Sequence, residues 1–209
     1  MNPTLLPGRI RMMPILLVVA LAVGGSGVFA PAPVAASRPT ASGWLPEANV
    51  ARGEPRTRSL PLPAGAIGRL TIASIALEAV ARPVGLTPSG AMDVTPNIWD
   101  VGVFNQSVMP GDPGSSVIEG HNDWYTGPAV FWNLHQVGKG DEIDYTAADG
   151  TTHRFAVSRT RNIPFNAAIP DDIMVRDGTP TITLITCSGT WIGSAHSYST
   201  RLLLTATAI

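Results

Sequence analysis

Apolar and polar side chains alternate in short runs beyond residue 66, and this period of two is typical of half-buried β-strands. The pattern predicts strands at residues 67–73 and 75–80. Turn signals and runs of β-branched or aliphatic residues predict further strands at 115–119, 142–146, 152–160, 181–186 and 202–206. An Asp149-Gly150 pair between the fourth and fifth strands predicts a hairpin turn. Seven or so short strands separated by turns indicate an all-β domain, either a closed barrel or a sandwich.

One stretch, residues 129–137, has helical periodicity, because Val130, Phe131, Leu134 and Val137 fall on one face of a helix. We therefore expect one short helix there. The 21 glycines and 19 prolines among the 209 residues favour turns over long helices elsewhere in the chain.

A basic flank and an apolar run open the chain. Arg9 and Arg11 precede the uncharged residues 12–37, of which residues 12–23 are almost entirely apolar. This arrangement is typical of a secretory signal peptide. The uncharged span is also long enough for a membrane anchor, which needs ~20 residues. We expect residues 1–36 to be a signal peptide or an N-terminal membrane anchor, with the rest of the chain outside the cytoplasm.

Residues 37–66 have a different composition, rich in Pro, Ala, Arg and Ser, and they show no periodic pattern. Such a segment is typical of a semi-extended linker without a core of its own. The folded domain is therefore expected to span residues 67–209.

The charge balance excludes one class of function. The 14 basic and 15 acidic residues give a net charge of −1, which argues against a nucleic-acid binder held by phosphate contacts.

A single cysteine excludes an internal disulfide and any site with several thiolate ligands. No CxxC, HxxxH or HExxH spacing occurs, so we expect neither a metal nor a cofactor.

The lone cysteine, Cys187, follows the apolar strand predicted at 181–186 and precedes the loop signal Ser188-Gly189. A free cysteine is often only a small buried hydrophobic residue. In an exported protein, however, a lone thiol risks oxidation or mispairing, which favours a functional role. A strand end is also where a rigid scaffold presents reactive groups.

Three further residues are candidates to work with this thiol. His121 directly follows Gly120 at the end of the strand predicted at 115–119, whereas His196 is a weaker candidate because only its closeness in sequence favours it. Arg201 begins the last predicted strand, and a guanidinium group has several directed donors for a developing oxyanion. An ordinary strand-edge charge is the alternative interpretation of this arginine.

These residues carry a family resemblance. Thr183-Leu184-Ile185-Thr186-Cys187 resembles the TLxTC signature of sortases, the cysteine transpeptidases of bacterial cell surfaces. Gly120-His121 and Arg201 occupy positions similar to the family's catalytic histidine and arginine. Further agreement lies in segments 82–86, 90–94, 110–115 and 127–131. The resemblance covers about residues 67–206 and is greatest to class F, with classes D and E as its neighbours.

The resemblance implies a closed sortase-type β-barrel of about eight strands with one or two short helices. It also implies that the Cys187 thiolate attacks the carbonyl after the Thr of an LPxTG-like sorting signal. His121 would protonate the departing amine and later act as a base, and Arg201 would stabilise the oxyanion. By the family resemblance, Thr186 and the segment 165–174 line the peptide groove. Asn122, Ser188 and Trp191 lie next to the proposed catalytic residues in sequence and are also expected to contact the peptide. For Trp191, as for Trp124, buried packing is the alternative.

The implied partners are the sorting-signal peptide of a secreted protein and an amine acceptor. The acceptor would be a peptidoglycan stem or cross-bridge, or a pilin lysine. The protein is expected to be a monomer at the membrane or surface of a bacterial cell. Two alternatives are a different cysteine peptidase and a secreted, non-catalytic β-barrel that binds peptide or wall polymer.

Overall fold

The computed structural model describes residues 61–209. The predicted signal peptide or anchor, residues 1–36, lies outside the described residues, and so does the predicted linker as far as residue 60. Within the described part of the chain, no helix is long and apolar enough to span a membrane.

The described residues form ten strands and four single turns of 3-10 helix. The strands are β1 Gly68–Ile72, β2 Leu77–Val84, β3 Val101–Phe104, β4 Ser115–Glu119, β5 Asp123–Trp124, β6 Gly127–Pro128, β7 Glu142–Ala147, β8 Thr152–Pro164, β9 Thr181–Ile192 and β10 Ser197–Ala208. The 3-10 turns are Ala73–Ile75, Leu134–Gln136, Asp171–Ile173 and Gly193–Ala195.

Eight of these strands close into a barrel in the order β1-β2-β3-β4-β9-β10-β8-β7, with β7 returning to pair with β1. This confirms the predicted closed β-barrel of about eight strands. The pairs β2–β3 and β4–β9 are parallel, and the other pairs of the barrel are antiparallel. The two-residue strands β5 and β6 form a separate small hairpin.

Side-chain alternation along β9 and β10 divides the core into two layers. Ile182 and Leu184 belong to the large cluster that fills the barrel. Ile185 and Leu203 point to the other face, where they join a smaller cluster with Ile173. The segment that precedes β9 and contains Ile173 therefore covers the outer face of the barrel. Because both faces of β9 are covered, its residues 182–186 are all buried.

The helix predicted at residues 129–137 is wrong as an α-helix, because the structure has irregular turns followed by 3-10 helix over Leu134–Gln136 only. Phe131, Leu134 and Val137 are nonetheless buried in the barrel cluster. A series of turns presents residues at spacings of three much as a helix does, so the apolar pattern alone did not separate the two.

Candidate active site

The parallel pairing of β4 with β9 brings the end of β4 and the middle of β9 together. Glu119, the last residue of β4, is in register with Ile185 of β9. The chain continues from Glu119 to His121 and from Ile185 to Cys187, so both residues lie two positions beyond the last paired residues. β4 ends here while β9 continues beside β10, and the residues that follow the last β4–β9 pair line one cavity although they are 66 positions apart in sequence.

Arg201 reaches the same site through the other neighbour of β9. It lies on β10 directly opposite Cys187, and residues opposite each other in an antiparallel pair share one face of the sheet. Arg201 is 4% exposed. Its Nη1 donates to the Tyr198 carbonyl at 3.3 Å and to the Thr200 carbonyl at 3.1 Å, while Nη2 donates to Ser197 Oγ at 3.0 Å. These contacts hold a buried guanidinium on the thiol's face of the sheet.

A β-bulge lies just beyond Cys187. Gly189 has a φ of +84°, and the register between β9 and β10 shifts by one residue there, as in a bulge that begins with a left-handed glycine. A Cβ at this position would lie 2.4 Å from Ser199 Oγ, so only glycine fits. The structure therefore corrects the expectation that the strand ends at Cys187, because β9 continues through the bulge to Ile192.

The backbone of His121 is held by its neighbours. Its carbonyl accepts a hydrogen bond from the Phe131 amide at 2.8 Å. The ring of Phe131 packs so closely on Gly120 that a Cβ there would lie 2.5 Å from it. The glycine before the histidine is thus required for this close approach. Trp124 makes an edge-on contact with the imidazole, with ring centroids 5.5 Å apart.

The imidazole itself is fixed by a loop that precedes β3. His121 Nε2 lies 3.0 Å from the carbonyl oxygen of Thr95. Because a carbonyl only accepts hydrogen bonds, Nε2 must carry the hydrogen in this contact. In the neutral imidazole Nδ1 is then unprotonated and can accept a proton. The Thr95 hydroxyl in turn donates to the carbonyls of Asn97 and Asp100.

Glu119 fixes the other side of this loop, because its Oε1 accepts a hydrogen bond from the Thr95 amide at 2.9 Å. Glu119 is 4% exposed, and this burial raises the pKa of its carboxyl to about 8, against which the Thr95 hydrogen bond acts only partly. Gly102 leaves the room the carboxyl needs, since a Cβ there would meet Oε1 at 2.3 Å. At neutral pH the carboxyl that holds the Thr95 loop is therefore mostly protonated.

These side chains surround a cavity of about 250 Å³. It is lined by His121, Asn122, Asp123, Trp124, Tyr125, Cys187, Trp191, His196, Ser197 and Tyr198. The structure thus brings together the predicted catalytic pair, His121 and Cys187, with two of the predicted substrate contacts, Asn122 and Trp191. His196 also reaches the cavity, through an exposed turn with a φ of +45°.

The other predicted site residues lie beside the cavity. Arg201 is buried next to its wall. Thr186 points to the opposite side of β9 from Cys187, and its hydroxyl donates to the Gly120 carbonyl at 2.7 Å. Ser188 is hydrogen-bonded with Thr200 at 2.8 Å. Contact of Thr186 and Ser188 with a substrate stays a prediction.

Opposing effects act on the Cys187 thiol. Burial raises its pKa, and the guanidinium of Arg201 lowers it. The carboxyls of Asp123 and Glu119 raise it further. The net pKa lies above the ordinary value, so the thiol is mostly protonated at neutral pH and needs a base to become a nucleophile.

Sequence reasoning missed Thr95, Glu119, Asp123 and Tyr198. Tyr198 Oη donates to Asp123 Oδ2 at 2.5 Å, and Trp191 lies edge-on to the Tyr198 ring with centroids 5.5 Å apart. Burial and the Asp123 hydrogen bond raise the pKa of Tyr198 to about 12, so its hydroxyl remains a donor. The position of Asp123 two residues after His121 was the only signal available for it. Among residues 61–209, no group of three or more His, Cys, Asp or Glu side chains is arranged to hold a metal ion.

Comparison with known proteins identifies the family and the fold. A family model described as Sortase domain matches residues 70–209. No curated protein gives a significant match. Among solved structures, sortase C1 of Streptococcus agalactiae in complex with MTSET is 22% identical, with a TM-score of 0.55 over 71% of this chain and 72% of that one.

Two other solved structures are similar. Sortase C-1 of Actinomyces oris is 25% identical, with a TM-score of 0.53 over 69% of this chain and 74% of that one. A lid mutant of sortase A from Corynebacterium diphtheriae is 24% identical, with a TM-score of 0.54 over 69% of this chain and 70% of that one. The matched structures carry the names sortase C and sortase A, so the expected likeness to class F, with D and E as neighbours, stays a prediction.

Proposed function

The chain belongs to the sortase family of cysteine transpeptidases, and on that premise we propose that it cleaves an LPxTG-like sorting signal through a thioacyl intermediate on Cys187. The acyl group then passes to an amine acceptor. The observation that carries this proposal is the shared cavity of Cys187 and His121, with Arg201 paired opposite the cysteine. The three side chains supply a nucleophile, an acid–base group and a cation in one place.

Acylation begins with proton transfer from the thiol to the imidazole. Because His121 Nε2 is bound to a backbone carbonyl, Nδ1 accepts this proton. The thiolate then attacks the peptide carbonyl after the Thr, and a tetrahedral oxyanion forms. The imidazolium returns the proton to the departing amine as the carbon–nitrogen bond breaks.

Arg201 stabilises the charged species of this sequence. Its guanidinium already lowers the pKa of the Cys187 thiol, and it lies on the same face of the sheet as the developing oxyanion. The charge acts from a buried position, where solvent screens it little. A lysine would keep the charge but not the directed donors that hold Arg201 in place.

The walls of the cavity offer contacts for the peptide. Asn122 and Trp191 belong to the lining, and Trp191 is 48% exposed, so its ring is available to a bound ligand. Thr186 acts from the other side of β9, where its hydroxyl anchors the carbonyl of Gly120 immediately before the catalytic histidine. We assign Thr186 to positioning of the histidine and Ser188 to the β9–β10 ladder, in addition to any contact with peptide.

The biological setting follows from the same proposal. The sorting-signal peptide would come from a secreted protein, and the acceptor would be an amine of peptidoglycan or a pilin lysine. We place the enzyme, as a monomer, outside the cytoplasm of a bacterium, held or delivered there by residues 1–36.

A transfer assay tests the function. The protein is incubated with a labelled LPxTG-type peptide and an added amine, and the products are followed by chromatography and mass spectrometry. We expect an amide between the acyl fragment and the amine, its formation abolished in Cys187→Ala and reduced at least a hundredfold in His121→Ala and Arg201→Ala. Binding of the peptide without any cleavage, across a panel of sorting motifs, would favour a non-catalytic peptide-binding barrel instead.

A further inference from the structure

One wall of the cavity has a charge that the attack on the sorting signal does not use. This charge is the carboxylate of Asp123, which lines the cavity together with the rings of Trp124, Trp191 and Tyr198. The hydrogen bond from Tyr198 Oη holds one oxygen of the Asp123 carboxylate in place. Among the described side chains that line the cavity, none is a lysine or an arginine. Arg201 lies behind the wall, where its Nη1 and Nη2 donate to the carbonyls of Tyr198 and Thr200 and to Ser197 Oγ.

A carboxylate in this place opposes the first half of the reaction. The negative charge of Asp123 raises the pKa of the Cys187 thiol, which lowers the fraction of thiolate. The same charge repels the oxyanion that forms when the thiolate attacks. Asp123 therefore favours the species of the reaction that are positively charged, which are the His121 imidazolium and any cation that enters the cavity.

The second half of the reaction brings in such a cation. A primary amine arrives as an ammonium ion at neutral pH. Its nitrogen becomes positive again when it bonds to the thioester carbon. Aromatic faces attract cations of this kind, and a carboxylate accepts charge-assisted hydrogen bonds from an ammonium group.

We propose that Asp123, with the rings of Trp124, Trp191 and Tyr198, forms an acceptor subsite that binds the primary ammonium group of the amine nucleophile beside the Cys187 thioester. The subsite rests on the transpeptidase function proposed above and specifies its second substrate as a cation. It favours ammonium-bearing acceptors over neutral nucleophiles such as water.

During transfer the acceptor nitrogen loses two protons. The bound ammonium ion loses one proton to solvent, and the resulting amine attacks the thioester carbon. The second proton passes from the nitrogen to the His121 imidazole as the carbon–sulfur bond breaks and the amide forms. Cys187 leaves as a thiolate and takes that proton from the imidazolium, which restores the resting enzyme.

The test compares charged and neutral nucleophiles on one thioester. The protein is acylated with an LPxTG-type peptide in the presence of triglycine, Nα-acetyl-lysine amide or hydroxylamine, the last of which is largely uncharged at pH 7. For each nucleophile, kcat/KM is measured in the wild type, in Asp123→Asn, in Tyr198→Phe and in a control, Asp112→Asn, whose side chain is exposed in a turn. The two amines separate an α-amine source from a lysine-type source.

In Asp123→Asn we expect the ratio of kcat/KM for the preferred amine to that for hydroxylamine to fall about tenfold, the effect of losing one hydrogen bond to a charged group. Tyr198→Phe releases the carboxylate and lowers the ratio less, while Asp112→Asn leaves it unchanged. A ratio that is unchanged in both cavity variants, or equal losses for amine and hydroxylamine, would overturn the acceptor subsite alone. Failure of the wild type to form product with any of the three nucleophiles would overturn the transpeptidase function and the subsite with it.

Discussion

The buried carboxyl of Glu119 makes a quantitative prediction about stability and pH. Its pKa is about 8 in the folded protein against an ordinary value of 4.5. Between these two values the folded state binds one more proton than the unfolded state does, so stability falls as pH rises. At 1.36 kcal/mol for each unit of pKa, the whole loss between pH 4.5 and pH 8 amounts to about 5 kcal/mol.

Glu119→Gln removes this titration while keeping an oxygen that accepts the Thr95 amide. We expect the variant and the wild type to have similar free energies of unfolding near pH 5. The wild type then loses about 1.4 kcal/mol for each pH unit up to pH 8 relative to the variant. Urea unfolding followed by tryptophan fluorescence, at unit intervals from pH 5 to pH 9, measures the difference.

The matched control is Glu142→Gln, because the Glu142 side chain is 60% exposed and its charge is solvated in both states. Its stability curve is expected to run parallel to that of the wild type. If the Glu119→Gln curve also runs parallel to the wild type over this range, the carboxyl is ionised in the folded protein and our account of the loop beneath His121 is wrong.

Three further substitutions probe the site. Arg201→Ala raises the pKa of the Cys187 thiol, so the pH profile of alkylation by iodoacetamide moves to higher pH; an unmoved profile would show that the two groups do not interact. Gly189→Ala destabilises the protein by roughly 2 kcal/mol or more in thermal unfolding, because it combines backbone strain with a clash. Gly150→Ala, with a similar positive φ but open space around it, costs only about 1 kcal/mol, and equal losses would refute the clash. Thr186→Val leaves a buried carbonyl unpaired, costing about 1–3 kcal/mol in urea unfolding, and it lowers turnover as well; full activity would contradict its positioning role.

Local pattern predicted most of the strands but not their partners. The β-branched and aliphatic residues at 181–186 and the turn at Asp149-Gly150 were strong enough to predict β9 and the β7–β8 hairpin. The four residues of β3 are too few for a period to emerge, so that strand was missed. The parallel pairing of β4 with β9 connects residues 66 positions apart, and no local signal records such a contact.

The same distinction applies to the site. Cys187 and His121 were found because each follows an apolar strand in a recognisable motif. Thr95 was not, because it acts through its backbone carbonyl, and any residue type has a carbonyl. Glu119 looks like an ordinary charged residue in the sequence, and only its burial of 96% shows that it is neutral at pH 7.

The most direct test of the central claim is capture of the acyl-enzyme. The protein, with its thiol shown to be free and reduced, is mixed with an LPxTG-type peptide and its intact mass is measured. We predict a mass increase equal to the peptide fragment that ends at Thr, located on Cys187, removed by hydroxylamine and absent from Cys187→Ala. A mass that stays unchanged across a panel of sorting motifs, or an adduct that persists in Cys187→Ala, would contradict the claim that this cysteine carries the acyl group.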